Sequence, residues 1–509
     1  MAVRSFPGIF LLCFSAVFPV WSKEPNAASS ARTFTVMAYN VENLMDIDRV
    51  APYDDYAEVP GDPHSYGPGK LLRKLKTIIR VLKSVNNGAG PDVVILNELE
   101  ADQTPDSTVA DMSAFLGKYV GTTYEKMLTT ELNDEMRGLP VEAWLVKALE
   151  DEGLKGYTIL VGEVPAGTAE HETAIKVGIL TRFPCLDHKT HPTDRARGIL
   201  EAKLDVDGHP LIVLANHWKS GAGNPAMENV RLGNAKTLRD RLDQIFQENP
   251  HADVIIGGDF NTQYNQGQRY PFLSKTALQD VLGSQGDAGI FSQSDSADLY
   301  NLYFELPPEK RFSDEFGGEW GTLIQLLVSR GLGDGKGVDY VPATFTQIII
   351  PGVNAQGALE LPWRWTNYGP GWGASDHFPV AAKFMVAAGE VPSFPAHAWS
   401  SVPPKEALKV GYDRVDREKL RNASELKDAA PEDLAKALGE IFVVDAIFSK
   451  IRPLEVEVDG KTYSLHSFDK NLKDTLRLEP KGKTMRFLGE LGLYKGKLQF
   501  VVQDPSWIK

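Results

Sequence analysis

The sequence predicts an α/β protein: a four-layer sandwich of two packed mixed sheets flanked by helices, followed by a small C-terminal β-barrel. Three observations carry that prediction. Short apolar runs of strand length alternate with segments of helical periodicity, several neighbouring runs are spaced to pair as hairpins, and a Pro-rich stretch separates them from a β-rich end. At 509 residues the chain is too long for one small core, so two domains are the natural expectation.

"TFTVMAY" (33–39) reads as the first strand. A Gly/Pro/Asp-rich loop leads to residues 70–85, where Leu71, Leu72, Leu75, Ile78, Ile79 and Leu82 recur at helical spacing. "PDVVILNELE" (91–100) is a short apolar strand ending in acids. Residues 107–118 and 140–151 read as helices of a side insertion that could shape a cleft. Strands follow at 157–162, 174–181, 198–206 and 210–218, then a long amphipathic helix at 228–246 and the strand "ADVIIGGDF" (252–260). After a loop-rich stretch come strands at 338–350 and 375–386. The domains expected are therefore 33–386, a linker at 387–411 rich in Pro and small polar residues, and 412–509, which opens with a Lys/Glu-rich helical patch to about 439.

A composition of 42% apolar and 24% charged residues is that of an ordinary globular protein. The net charge of −14 argues against a general polyanion-coating protein. It leaves room for a phosphodiester substrate, because divalent cations supply positive charge locally. Residues 1–22 place Arg4 before an apolar run that ends at small Ser22, the pattern of a cleaved signal peptide and of export to a periplasmic or extracellular space. The run is short for a membrane span. Cleavage would leave Cys185 as the sole cysteine, with no intrachain disulfide.

"IIGGDFNTQ" (255–263) ends a buried strand on Asp259 and Asn261. If the chain stays extended, residues i and i+2 share a face and both side chains aim at one spot; Asp, Asn and Gly also commonly close strands in turns. Other apolar runs end alike. "VMAYNVEN" delivers Asn40, "VVILNELE" delivers Glu98, "VLANHWKS" delivers His217, and "SDHFPV" carries Asp376 and His377. Sheet edges in α/β layers are where sites are built. Singly, each residue reads as well as a cap, a solvated acid or a core histidine; in this order they form a set.

That set resembles the endonuclease/exonuclease/phosphatase family of DNase I-like nucleases, phosphatases and sphingomyelinases, across residues 33–386. The resemblance implies a metal-dependent hydrolase of phosphoric ester bonds using Mg²⁺, with Mn²⁺ or Ca²⁺ as alternatives. It implies Asn40, Glu98 and Asp376 at the metal, Asp259 on the attacking water, and Asn261 positioning phosphate or nucleophile. His217 and His377 would bind the scissile phosphate, and Asp339 in "GVDYVPA" would hydrogen-bond His377. The chemistry agrees. Hard oxygen ligands suit such ions, and an acid on one ring nitrogen of His377 favours an imidazolium beside phosphate. Asn97 stands where relatives often carry Gln, and Trp218 where many carry Leu or Phe. "GGDFNTQ" departs from the inositol phosphatase pattern, and "YNVENL" with "NHWKS" looks closer to bacterial secreted nucleases. The expected substrate is DNA or RNA, with a phospholipid or small phosphate ester, or an inactive binding module, as alternatives.

Residues 440–509 resemble an OB-fold. They hold twelve Lys/Arg against ten Asp/Glu, so this segment is about +2 while the rest is about −16. Such barrels bind oligonucleotides or oligosaccharides on aromatic platforms. Tyr463, Phe468 and Tyr494 are candidates for that role, although aromatics in small barrels are more often core.

Overall fold

The computed structural model describes residues 32–508 apart from 52, 60, 63–64, 102–103, 105–107, 165–173, 293–296, 388, 395–408 and 411–415. The expected signal segment and most of the expected linker lie outside these residues. Among the described residues no helix is long and apolar enough to cross a membrane.

Alternation of side chains along the strands builds the layers. In the strand Val254–Asp259, Ile255 faces the space between two sheets, while Val254 and Ile256 face helices. One sheet orders Val338–Tyr340, Val380–Val386, Thr33–Leu44, Val93–Glu100, Ile175–Thr181 and Thr158–Val161, with Thr346–Gln347 also on Val380–Val386. The other orders Cys185–His191, Ile199–Val206, His209–His217, Val254–Asp259, Ile324–Val328, Leu299–Asn301 and Ser284–Gln285. Between them lies a core of Val36, Ala38, Ile95, Ile179, Leu200, Val213, Ile255 and Leu326. The helices Pro68–Lys83 and Val141–Asp151 cover the first sheet's outer face, and Pro225–Glu248 covers the second's. This is the expected four-layer α/β sandwich.

Each sheet contains one parallel central pair. Thr33–Leu44 runs parallel to Val93–Glu100, and His209–His217 runs parallel to Val254–Asp259. Parallel strands end on the same side, so four C-terminal strand ends are delivered together, two from each sheet. Asn40 pairs in register with Asn97, and His217 with Asp259.

Several elements differ from expectation, among them the strand Cys185–His191, which no expected strand covers. Only Val338–Tyr340 and Thr346–Gln347 of 338–350 are strand, and 375–379 precedes the last strand instead of belonging to it. The stretch read as loop-rich holds the strand Ile324–Val328, antiparallel to Val254–Asp259, and a hairpin of Asp314–Phe316 with Glu319–Gly321. Runs of three to five residues are too short to display a period. The helical patch resolves into turns at Arg417–Lys419 and Ala423–Leu426 and a helix Pro431–Ala437, because Asn422 with Glu425 forms a capping box and Pro431 starts a new helix.

The C-terminal segment is a closed barrel of Ile441–Ile451, Leu454–Val458, Lys461–His466, Lys497–Val501 and Thr484–Tyr494, with the helix Lys470–Leu476 between its third and fourth strands in the chain. Tyr463 is 1% exposed and packs on Phe500, so it is core and no platform; Phe468 and Tyr494 are 62% and 61% exposed. The barrel core continues into the sandwich through Leu361 and half-buried Trp320.

A partly buried ion network on the second sheet gives a stability prediction. Glu201 takes a two-pronged grip from Arg241 (Nε 2.7 Å, Nη2 2.8 Å) and meets His191 Nε2 at 2.7 Å. Burial opposes its charge, but Arg241 and His191 overcome burial and hold the carboxyl down at about 2, against an ordinary 4.5. A depressed carboxyl contributes stability that is complete above about pH 4.5 and is lost as pH falls toward 2. Urea unfolding of Glu201→Gln should show a loss of about 1–3 kcal/mol at pH 7 that shrinks across that acid window.

Candidate active site

The second sheet meets the first closely at Gly257, and within the second sheet Gly258 lies hard against its neighbouring strand. A Cβ on Gly257 would lie 2.7 Å from Ile95 Cδ1, and Gly258, at φ +124°, has the Asn216 carbonyl where a Cβ would be. At Gly258 only glycine fits, because the obstacle is backbone and φ is positive. Asn97 ties the sheets together there, donating to Asn216 O at 2.7 Å and accepting from the Asp259 N–H at 3.1 Å. The Asn97 amide is thus a strut beneath Asp259.

Beyond Asp259 the chain does not stay extended. Asn261 has φ +50°, and its N–H donates to Asp259 Oδ1 at 2.8 Å, closing a turn. Its side chain donates to Trp218 O at 3.1 Å. The strand-face alternation therefore fails past Asp259, and the turn returns Asn261 to its neighbour's side. Glu98 (φ +66°), Glu42 (φ +49°) and Asn43 (φ +56°) also adopt the left-handed conformation, and pairing slips between Asn40 and Leu44 and between Leu96 and Leu99. Irregularities of this kind re-aim side chains at strand ends, and strain collects at such places.

The re-aimed groups meet. Asn40 Nδ2 donates to Glu98 Oε1 (2.9 Å) and Asp259 Oδ2 (3.2 Å), while its Oδ1 accepts from Glu42 N–H. Glu98 Oε2 accepts from Asn43 N–H at 2.9 Å. His217 Nε2 stands 3.8 Å from Glu98 Oε1 and 3.6 Å from Asp259 Oδ2. His377 Nε2 stands 3.8 Å from Asp259 Oδ2 and 3.5 Å from Asp376 Oδ1. Asn40, Glu98, His217, Asp259, Asn261, Asp376 and His377 thus gather at one end of the sandwich. Asn261, Asp376 and His377 line a cleft of about 550 Å³ with Tyr270, Asp314, Phe316 and Arg364.

Burial and like charge govern the electrostatics. Asp259 is pushed up to about 6, chiefly by burial, with Glu98 and Asp314 adding to the rise and His377 opposing it. Glu98 moves up through burial and the Asp376 charge. His377 is raised to about 9: burial disfavours its charge, and Asp376, Asp259, Asp314 and Glu98 override burial. His217 goes well below the ordinary value through burial, Arg197 and His377. The two histidines are therefore unlike at neutral pH, one an imidazolium and the other a neutral ring.

Asp339 does not serve His377. It pairs across the sheet with Met385, eight residues from His377 along the chain, and its carboxylate accepts from Gly335 N–H at 3.1 Å. Eight residues of near-extended chain put it about 25 Å away, at the opposite end of the strands. After Asp376 and Asp259, the acid that acts on the histidine is Asp314, whose backbone forms a β-bridge with His377 and whose charge helps raise it. Its carboxylate is held by Ser313 Oγ and Leu323 N–H, both at 2.9 Å. Asp314 was missed because "FSDEFGGEW" lies far from any motif; the Gly317–Gly318 hairpin turn was its one local signal. Asp314→Asn should lower kcat about 10- to 100-fold, while Asp339→Asn leaves kcat within about twofold, as read by steady-state kinetics of both variants.

Trp218 acts through packing. It meets Phe260 edge-on at 4.8 Å, and its Nε1 donates to Asn216 Oδ1. Glu42, half-buried near Lys74, Asp376 and Arg364, is pushed up to about 8, mainly by desolvation and Asp376, and accepts from Trp365 N–H. Arg364 brings a cation to Asp376 and Glu42. No periodicity marks either residue.

The donor set fits a divalent cation. Among the described residues, Glu98, His217 and Asp259 offer ligand atoms all within 4.8 Å of one another. His217 Nδ1 and His377 Nδ1 are buried without a hydrogen-bond partner among the described residues. Crowded buried carboxylates with raised proton affinity are groups that a cation stabilises.

Residues 180–386 match the model of the Endonuclease/Exonuclease/phosphatase family. No curated protein matches the chain. Among solved structures, TDP2 from Caenorhabditis elegans is 15% identical over 70% of this chain and 75% of its own, with a TM-score of 0.37. A family protein from Leptotrichia buccalis is 13% identical over 69% and 98%, with a TM-score of 0.39. D. rerio TDP2, complexed with a single-strand DNA product, is 13% identical over 70% and 99%, with a TM-score of 0.36. At such scores these likenesses carry no weight beside the residues themselves.

Proposed function

With residues 180–386 belonging to the endonuclease/exonuclease/phosphatase family, we propose that this chain is an exported, divalent-metal-dependent phosphodiester hydrolase whose substrate is nucleic acid. One observation carries the reading: four strand ends from two sheets deliver Asn40, Glu98, His217 and Asp259 to a common cluster that His377 joins from the last segment. The apolar run before Ser22 supports the export part.

The side chains divide the work. Glu98, with Asn40 oriented against it and His217 and Asp259 alongside, would hold Mg²⁺ or Mn²⁺. Such an ion neutralises phosphate oxygens and acidifies water. Asp259, clamped by Asn97, Asn261 and Asn40, is placed to orient a water and take its proton. His377 presents a cation to the phosphate, where charge accumulates as the P–O bond breaks. Asp376, Asp259 and Asp314 keep that ring protonated. A silent binding scaffold has no use for carboxylates crowded together in a buried, strained cluster.

The test is hydrolysis of single-stranded and duplex DNA, RNA, sphingomyelin and bis-nitrophenyl phosphate with Mg²⁺ or Mn²⁺ and with chelator. Cation-dependent cleavage of nucleic acid that is lost in His377→Ala supports the proposal. Turnover equal in wild type and variant, or confined to the lipid, defeats it.

A further inference from the structure

Two phenylalanines far apart in sequence are left in solvent beside each other at the mouth of the cleft. Phe316, on the sandwich, is 69% exposed and Phe468, on the barrel, 62%. Their ring centroids are 6.2 Å apart at 37°, and His466 stands edge-on to Phe468 at 5.1 Å. Phe316 lines the same cleft as Asp376 and His377. It lies two residues beyond Asp314, which bridges to His377, so it is about 7 Å from that contact along the strand. Lone exposed apolar residues are ordinary, but rings from two domains converging beside a catalytic cleft form one surface.

The surroundings select the occupant. Phe468 is followed by exposed Lys470 and then by Lys473, whose charge, together with burial, lowers the proton affinity of His466. Cations beside a flat aromatic face suit a nucleotide: the ring takes the base and the lysines take phosphate. The two acids flanking Phe316 in its hairpin are engaged, since Glu319 pairs with Arg269 at 3.0 Å and Glu315 accepts from Gly318 N–H at 2.6 Å. A hairpin that enters lipid would not carry carboxylates on both sides of its one exposed ring.

We infer that Phe316 and Phe468 form a stacking platform, shared by the two domains, for an unpaired nucleobase next to the scissile phosphate, which makes single-stranded nucleic acid the favoured substrate. This rests on the proposed phosphodiesterase reading and deepens it. The duplex form offers its bases only by their edges, whereas a single strand turns their faces outward.

The experiment compares wild type, Phe316→Ala, Phe468→Ala, the double variant, Phe468→Leu and Phe468→Trp. Readouts are KM and kcat on a single-stranded oligonucleotide, its duplex and bis-nitrophenyl phosphate, and binding of the labelled single strand in chelator by fluorescence anisotropy. Each alanine should raise the single-strand KM and Kd about tenfold, and Phe468→Ala should leave the duplex and the small ester unchanged. Phe468→Trp should retain affinity where Phe468→Leu loses it, a distinction that packing alone does not make. Unchanged single-strand affinity in the double variant overturns the inference, as does equal behaviour of Leu and Trp. Loss of pelleting with phosphatidylcholine vesicles in place of oligonucleotide binding would make the rings a membrane contact and also overturn it. Absence of turnover on every substrate would instead strike the proposed function, while the anisotropy comparison still decides the platform.

Discussion

Asp259→Asn should cost about 100- to 1,000-fold in kcat on a phosphodiester substrate, while the cation-free protein melts no lower than wild type. The two effects share one cause. Asp259 is 2% exposed, its Oδ2 stands 3.6 Å from His217 and 3.8 Å from His377, and its charge is crowded by Glu98 and Asp314. Its backbone is anchored independently, with N–H on Asn97 Oδ1 and carbonyl on Trp218 N–H. The amide variant keeps the shape and can keep the Asn261 contact through its oxygen, but it cannot accept a proton from water. Removing one of several mutually repelling buried charges relieves the cluster, so function falls without a matching loss of stability. Steady-state kinetics and calorimetry of the same preparation read both halves. A variant that kept a tenth of wild-type turnover, or that unfolded at markedly lower temperature, would contradict the assignment.

Arg231→Met should destabilise the protein by about 3–5 kcal/mol and raise KM. The Arg231 guanidinium is wholly buried, and donates to Glu228 Oε2 (2.6 and 2.9 Å), Lys219 O (2.8 Å) and Ala222 O (3.0 Å). Glu228 in turn accepts from Ala277 N–H and Gln266 Nε2. The pair therefore ties the helix Pro225–Glu248 to the loop that follows His217, and Gly221–Asn224 of that loop forms one wall of the cleft. Methionine fills the volume but strands a buried carboxylate. The double variant Arg231→Met with Glu228→Gln removes the stranded charge and should recover a substantial part of the loss in urea unfolding. An equal or larger loss in the double variant would mean that packing, and not the ion pair, holds the loop.

What the sequence disclosed follows from the length and chemistry of its signals. Long apolar runs such as 91–100 and 210–218 display their period, and the polar residue that interrupts each one is conspicuous, so Asn40, Glu98, His217 and Asp259 stood out as strand ends. Asp314 did not. Its strand has three residues, and its relation to His377 is a bridge between segments 63 positions apart that no local pattern encodes. Asp339 misled for the same reason: "VDYV" looks like the right neighbour of a histidine, but its register against Met385 puts it at the wrong end of the sheet. The backbone turn at Asn261 was open to either conformation, and the closing Asp259 carboxylate decides it. Of the three aromatics marked in the barrel, burial removed Tyr463 and left Phe468 at the cleft, a distinction that depends on how the two domains meet.

The central claim is that side chains from two sheets make one seat for a hard cation and a phosphoryl group. Anomalous diffraction from crystals soaked in Mn²⁺ tests it most directly. A manganese peak within bonding distance of a Glu98 carboxylate oxygen, absent in Glu98→Gln crystals, is the predicted result. Manganese bound only elsewhere, or a peak that persists unchanged in the variant, would contradict it.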